Sequence, residues 1–187
     1  MVTEDLTNES PERARWEGSM ELDHLTSQMH HHAQAIAALV ADVSSDHARW
    51  CPEPDAWSIL DVLNHLAYEE VHDFRDRLDL ALHRHGEAWP RGDSARGVTE
   101  RTRRRSLAEA LDAFLTAREE SLAWLSGLEA PGWDAVVEAP FGQIRAGDVM
   151  AAWVAHDLLH LRQLIELRYQ TLAQQVEPYG VRYAGDW

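Results

Sequence analysis

Cysteine is nearly missing from this chain of 187 residues: Cys51 is the single one, so no intrachain disulfide can form and nothing points to an oxidising compartment. Long apolar runs are missing too. No window approaches 18 consecutive apolar residues, and the stretch Met1 to Trp16 is acidic and polar with no hydrophobic signal segment, so a cytoplasmic protein without membrane spans is expected. Positive charge is scarce. Seventeen Lys and Arg stand against 32 Asp and Glu, a net charge of −15 that repels polyanions and argues against nucleic-acid or anionic-membrane binding. Glycine and proline number only 10 and 7, too few for a fibrous or disordered chain. What is present, 45% hydrophobic and 26% charged residues, suits one globular domain with a continuous core.

Apolar periodicity divides the chain. Residues 1–18 read as a loosely ordered acidic arm, and residues 19–175 as the folded unit. From Met20 to Val43, Leu22, Leu25, Met29, Ile36, Leu39, Val40 and Val43 recur mostly at steps of three and four, which predicts a first helix. Pro52 and Pro54 break it. Ser58 with Asp61 then forms an acidic variant of a capping box, opening a second helix from Ile59 to about His85. Residues 86–105 are poor in apolar side chains and predict a long connection. Ser106 and Glu109 cap a third helix that runs to Gly127. Val136 to Arg145 reads as two short extended arms around Pro140-Phe141-Gly142, and a fourth helix follows from Ala146 to about Gln174. Residues 176–187 form an irregular, aromatic tail. The expected fold is all-α: a four-helix bundle with a long crossover connection and a small hairpin before the last helix.

His156 and His160 lie four residues apart on the last helix, about 40° around its axis, so both imidazoles can reach one ion. With 11 histidines in the chain, that spacing arises by chance. The pair shares a stripe with Val149, Trp153 and Leu164, an interior face on which unpaired polar groups are costly. His65 lies on an interior face of the second helix, and facing helices of a bundle can place a third imidazole on the same ion. Three neutral imidazoles would leave a coordination position open, as catalytic zinc sites do. Each histidine alone also fits a core imidazole bonded to a carbonyl. Because Asp157 follows His156 where a zincin has Glu, an H-E-x-x-H protease is not supported.

Trp57-Ser58, then Asn64-His65-Leu66-Ala67-Tyr68-Glu69, Phe141-Gly142 and the closing segment from Trp153 to Leu164, with His156-Asp157-Leu158-Leu159-His160, resemble the DinB/YfiT superfamily of metal-binding four-helix bundles over residues 20–172. The resemblance implies a divalent metal, Zn, Ni, Fe or Mn, on His65, His156 and His160. It also implies a homodimer, and a transferase using a low-molecular-weight thiol of the bacillithiol or mycothiol type on a small electrophile. The alternative it leaves open is a stress-associated metal-binding protein without turnover.

Around the triad, Glu69 follows His65 by one turn and is a candidate to orient a ligand or act as a base. Gln163 shares the face of the pair, and Arg162 is expected to point away from it. Glu70 is expected in solvent. His72 reads as a surface imidazole near the pocket mouth, one of the consecutive His30, His31 and His32 can look inward from the first helix although the three cannot converge on one ion, and Cys51 reads as a loop thiol. The basic run Arg101 to Arg105 reads as a solvated face.

Overall fold

A computed structural model describes residues 21–185; the predicted acidic arm lies outside them. Helix α1 (Leu22–Val40) is followed by a short helix α2 (Ser45–Arg49) that sequence periodicity does not reveal. Ser44 caps α2 by accepting from the His47 N–H, and Ala48 is its buried anchor. Helix α3 (Ile59–Glu69) opens on the expected box: the Ser58 hydroxyl accepts from Asp61 N, and Asp61 Oδ2 accepts from Ser58 N at 3.0 Å. The predicted second helix is not uniform. After α3 it widens into a π-helical turn over Glu70–Arg75 before continuing as α4 (Asp76–His83), and the chain leaves it at Gly86 with φ +88.

The connection 86–105 contains a helix that the sequence reading did not assign, α5 (Ala95–Thr102). Ser94 caps it by accepting from Gly97 N, and Val98 is buried as the helix packs against α3. With Val98 the one buried side chain among those described in this helix, there is too little periodicity to see in advance. Helix α6 (Leu107–Ser126) starts at the Ser106–Glu109 box. Strands β1 (Val136–Ala139) and β2 (Gly142–Arg145) pair antiparallel with Val137 opposite Ile144, as the hairpin reading expects. Gly142, at φ +121, supplies the turn conformation that side-chain-bearing residues avoid. Helix α7 (Ala146–Gln175) completes the set.

α1, the α3–α4 unit, α6 and α7 surround the core, giving the mostly helical four-helix architecture. The core has two apolar halves. One joins Ile36 and Val40 of α1, Ile59 to Leu66 of α3, Phe114 of α6 and Leu164 and Leu167 of α7. The other joins Met29, Leu78, Leu125, Val149, Met150 and Trp153, with the hairpin residues Val137 and Ile144 against it. Between these halves each of the four bundle segments carries a polar position: His32 on α1, Glu70 after α3, Arg118 on α6 and Asp157 on α7. The bundle therefore has a charged waist, and the three histidines flank it.

Candidate metal centre

The capped start of α3 fixes where His65 stands, two turns into the helix, while α7 presents His156 and His160 one turn apart. The structure brings these three predicted residues together. His156 Nε2 lies 3.2 Å from His65 Nε2 and 3.0 Å from His160 Nε2, and one nitrogen of each ring falls within 4.8 Å of the others. Three imidazole nitrogens facing one point compete for at most a few shared protons. Tetrahedral ligands about 2.05 Å from a zinc ion stand about 3.3 Å apart, so the spacing matches that of ligands around one cation.

Burial keeps these rings neutral and their lone pairs available. It is the main cause that lowers His65 to about 4 and His156 to about 3, with the neighbouring imidazoles adding to it and Arg118 contributing at His156. His160 is lowered by burial as well, against opposing effects from Gln163 and Asp157. Gln163 Oε1 lies 2.8 Å from His160 Nδ1, which places a proton on Nδ1 and frees Nε2. His65 Nδ1 is buried and has no hydrogen-bond partner among the described residues. The nearest carboxylate, Glu69 Oε1, is 3.6 Å away, placed to orient the ring with a small adjustment. Glu69 is itself raised by burial, against the pull of Arg77.

Aromatic side chains close around the ring nitrogens. Trp57, delivered by the two-proline loop, meets His65 edge-on at 4.7 Å and stacks parallel to His160 at 6.0 Å. Phe74, from the π-helical turn, packs on His156 at 4.9 Å. A cavity of about 590 Å³ opens beside His160, walled by Pro52, Trp57 and Leu159 with Gln163, Glu166 and Arg162. Arg162, expected to lie away from the site, thus lines the cavity next to it.

The charged waist supports the triad from behind. Arg118, 2% exposed, donates through Nε and Nη2 to both oxygens of Glu70 at 2.7 and 2.8 Å. It also donates through Nη1 and Nη2 to both oxygens of Asp157 at 2.7 and 2.8 Å, and through Nη1 to the Met29 carbonyl. Trp153 Nε1 donates to Glu70, and His32 Nδ1 lies 3.2 Å from Asp157. Glu70 is therefore not in solvent as expected: an inward guanidinium makes its burial tolerable. Sequence reasoning missed this cluster although a signal was there. Arg118 sits four residues after Phe114 and seven before Leu125, on the apolar stripe of α6.

The remaining candidates lie elsewhere. His72 is exposed and packs on Tyr68 at 4.6 Å. Arg101 pairs with Asp93 at 2.6 Å, and Arg105 donates to the buried Asn64. Cys51 is half-buried in its loop; burial and the nearby Asp61 push its thiol up, away from the reactive thiolate. Among the described residues no helix is long and apolar enough to cross a membrane.

Two solved structures share this architecture. YfiT from Bacillus subtilis, described as a "probable metal-dependent hydrolase with an unusual four-helix bundle topology", superposes with a TM-score of 0.72 at 16% identity, covering 84% of this chain and 91% of that one. DfsB, described as a sibling lethal factor precursor, superposes at 0.59 and 13% identity, covering 84% and 98%. No curated protein sequence matches the chain. The family model of the DinB superfamily matches residues 28–164, which hold all three histidines, the whole of α3 and α7 as far as Leu164. The chain belongs to the DinB superfamily.

Proposed function

We propose that this protein holds a divalent cation on His65, His156 and His160 and transfers a small-molecule thiol to an electrophile in the cavity beside His160. The observation that carries the reading is the convergence of three neutral Nε2 atoms at 3.0 and 3.2 Å, next to a cavity of about 590 Å³. A divalent cation held by these three imidazoles would supply positive charge that favours the deprotonated form of a thiol or water at neutral pH.

The protein's own residues supply the rest. His160 is locked in one tautomer by Gln163, and Glu69, 3.6 Å from His65 Nδ1, is placed to orient that ring after a small shift or to take the thiol proton. Trp57 and Phe74 keep water from the ring faces. The chain has no activated sulfur of its own, since Cys51 is pushed toward the thiol form; the nucleophile therefore comes from outside. The sulfur–carbon bond forms as the leaving group departs with its electron pair. The description of YfiT favours a second reading in which water replaces the thiol and the reaction is hydrolysis.

To test this, metal-free protein is loaded with Zn²⁺, Ni²⁺, Mn²⁺ or Fe²⁺ and incubated with bacillithiol, mycothiol or L-cysteine and 1-chloro-2,4-dinitrobenzene. Metal-dependent loss of thiol supports the transferase. Hydrolysis of an activated ester without thiol supports the second reading, and stoichiometric metal binding with neither reaction leaves a metal-binding protein without turnover. His160→Ala is expected to abolish stoichiometric binding; full occupancy in that variant would overturn the site.

A further inference from the structure

The wall of the cavity beside His160 carries two opposite charges that nothing in the metal site uses. Arg162 and Glu166 are one turn apart on α7, and both line the cavity together with Trp57, Gln163 and His160. Residues at this spacing on a helix stand about 6 Å apart at Cβ and ordinarily pair. Here they do not. Among the described residues Arg162 has no hydrogen bond or ion pair, whereas Arg84, Arg101, Arg118, Arg145 and Arg168 all hold carboxylates. Glu166 accepts through Oε1 from Gln170, and its Oε2 has no hydrogen-bond partner among the described residues.

In a chain of net charge −15, an unpaired guanidinium at a cavity wall offers a local seat for an anion that the rest of the surface repels. Arginine is suited to that task because its planar fork matches a carboxylate. The half-buried Glu166 beside it would repel a simple anion but attracts an ammonium group. The apolar floor of Trp57, Pro52 and Leu159 leads from this pair to His160.

We infer that the thiol is a zwitterion of the amino-acid type, its carboxylate seated on Arg162 and its ammonium on Glu166, with the sulfur extending over Trp57 toward the histidines. This rests on the thiol-using reading above and names the thiol's class. It makes Arg162 and Glu166 specificity-determining residues.

The experiment uses full-length protein loaded with Co²⁺ and follows the thiolate-to-cobalt absorption band on titration with four thiols. L-Cysteine has both head groups, N-acetyl-L-cysteine only the carboxylate, L-cysteine methyl ester only the amine, and 2-mercaptoethanol neither; metal retention is checked after desalting. L-Cysteine is expected to bind tightest. Arg162→Gln should weaken L-cysteine and N-acetyl-L-cysteine about tenfold, the worth of one charge-assisted contact. The same variant should leave the methyl ester and 2-mercaptoethanol unchanged. Glu166→Gln should weaken L-cysteine and its methyl ester only. Equal affinity for all four thiols, unmoved by either variant, overturns the inference while the thiol reading stands. No band with any thiol overturns both.

Discussion

At the scale of single residues, the triad is a set of weak bases made weaker. His65 and His156 are held at about 4 and about 3, against 6.5 for a free imidazole. Their folded-state values lie below the unfolded one, so between them the unfolded chain binds more protons. The metal-free protein should therefore be insensitive to these groups above pH 6.5. It should lose stability as pH falls from there toward 4, by up to about 1.4 kcal/mol per pH unit for each histidine. Urea unfolding at pH 7, 6, 5 and 4.5 measures this, and His156→Gln should flatten the slope. An equally steep slope in that variant would show that other groups carry the acid sensitivity.

At the scale of elements, the waist ties helices together. Arg118 on α6 links the Met29 carbonyl of α1, Glu70 at the end of α3 and Asp157 on α7. Asp157 sits between the two histidines of α7, so the guanidinium fixes the segment that carries them. Arg118→Met leaves two carboxylates buried without their partner and should cost about 3–5 kcal/mol in urea unfolding. Arg118→Lys should recover only part, because an ammonium cannot fork to two carboxylates.

The same cluster marks where the sequence could be read and where it misled. The four long helices, both capping boxes and the hairpin were legible because local signals and tertiary packing agree there. The three histidines are legible because two share a stripe at helical spacing, the third lies on an interior face of a facing helix, and the family resemblance singles out the same set. Glu70, expected in solvent, lies four residues after the buried Leu66 and is itself buried, because Arg118 and Trp153 meet its carboxylate there. α5 is hidden because, among its described side chains, Val98 is the buried one, and a cap with one apolar position shows no periodicity. Arg162 was set aside by its azimuth on α7, yet the loop carrying Pro52 and Trp57 shapes a cavity that reaches it.

At the scale of the whole molecule, a cation that binds only the folded state adds to its stability. At a free concentration 100 times the dissociation constant, the gain is about 2.7 kcal/mol. Thermal unfolding with and without saturating Zn²⁺ should show a rise that a chelator reverses and His160→Ala removes. An equal rise in that variant would place the binding elsewhere on the acidic surface.

His65 and His156 are separated by 91 positions in the chain. Bringing the ends of a loop of 91 residues together in a coil costs about 4 kcal/mol of chain entropy, so an unfolded chain assembles no such triad. During synthesis His65 emerges long before its partners, and the site does not exist until α7 has been made and docked. On the proposed reading, a cation would find its three ligands only after α7 has docked, so occupancy would report that this part of the chain has folded.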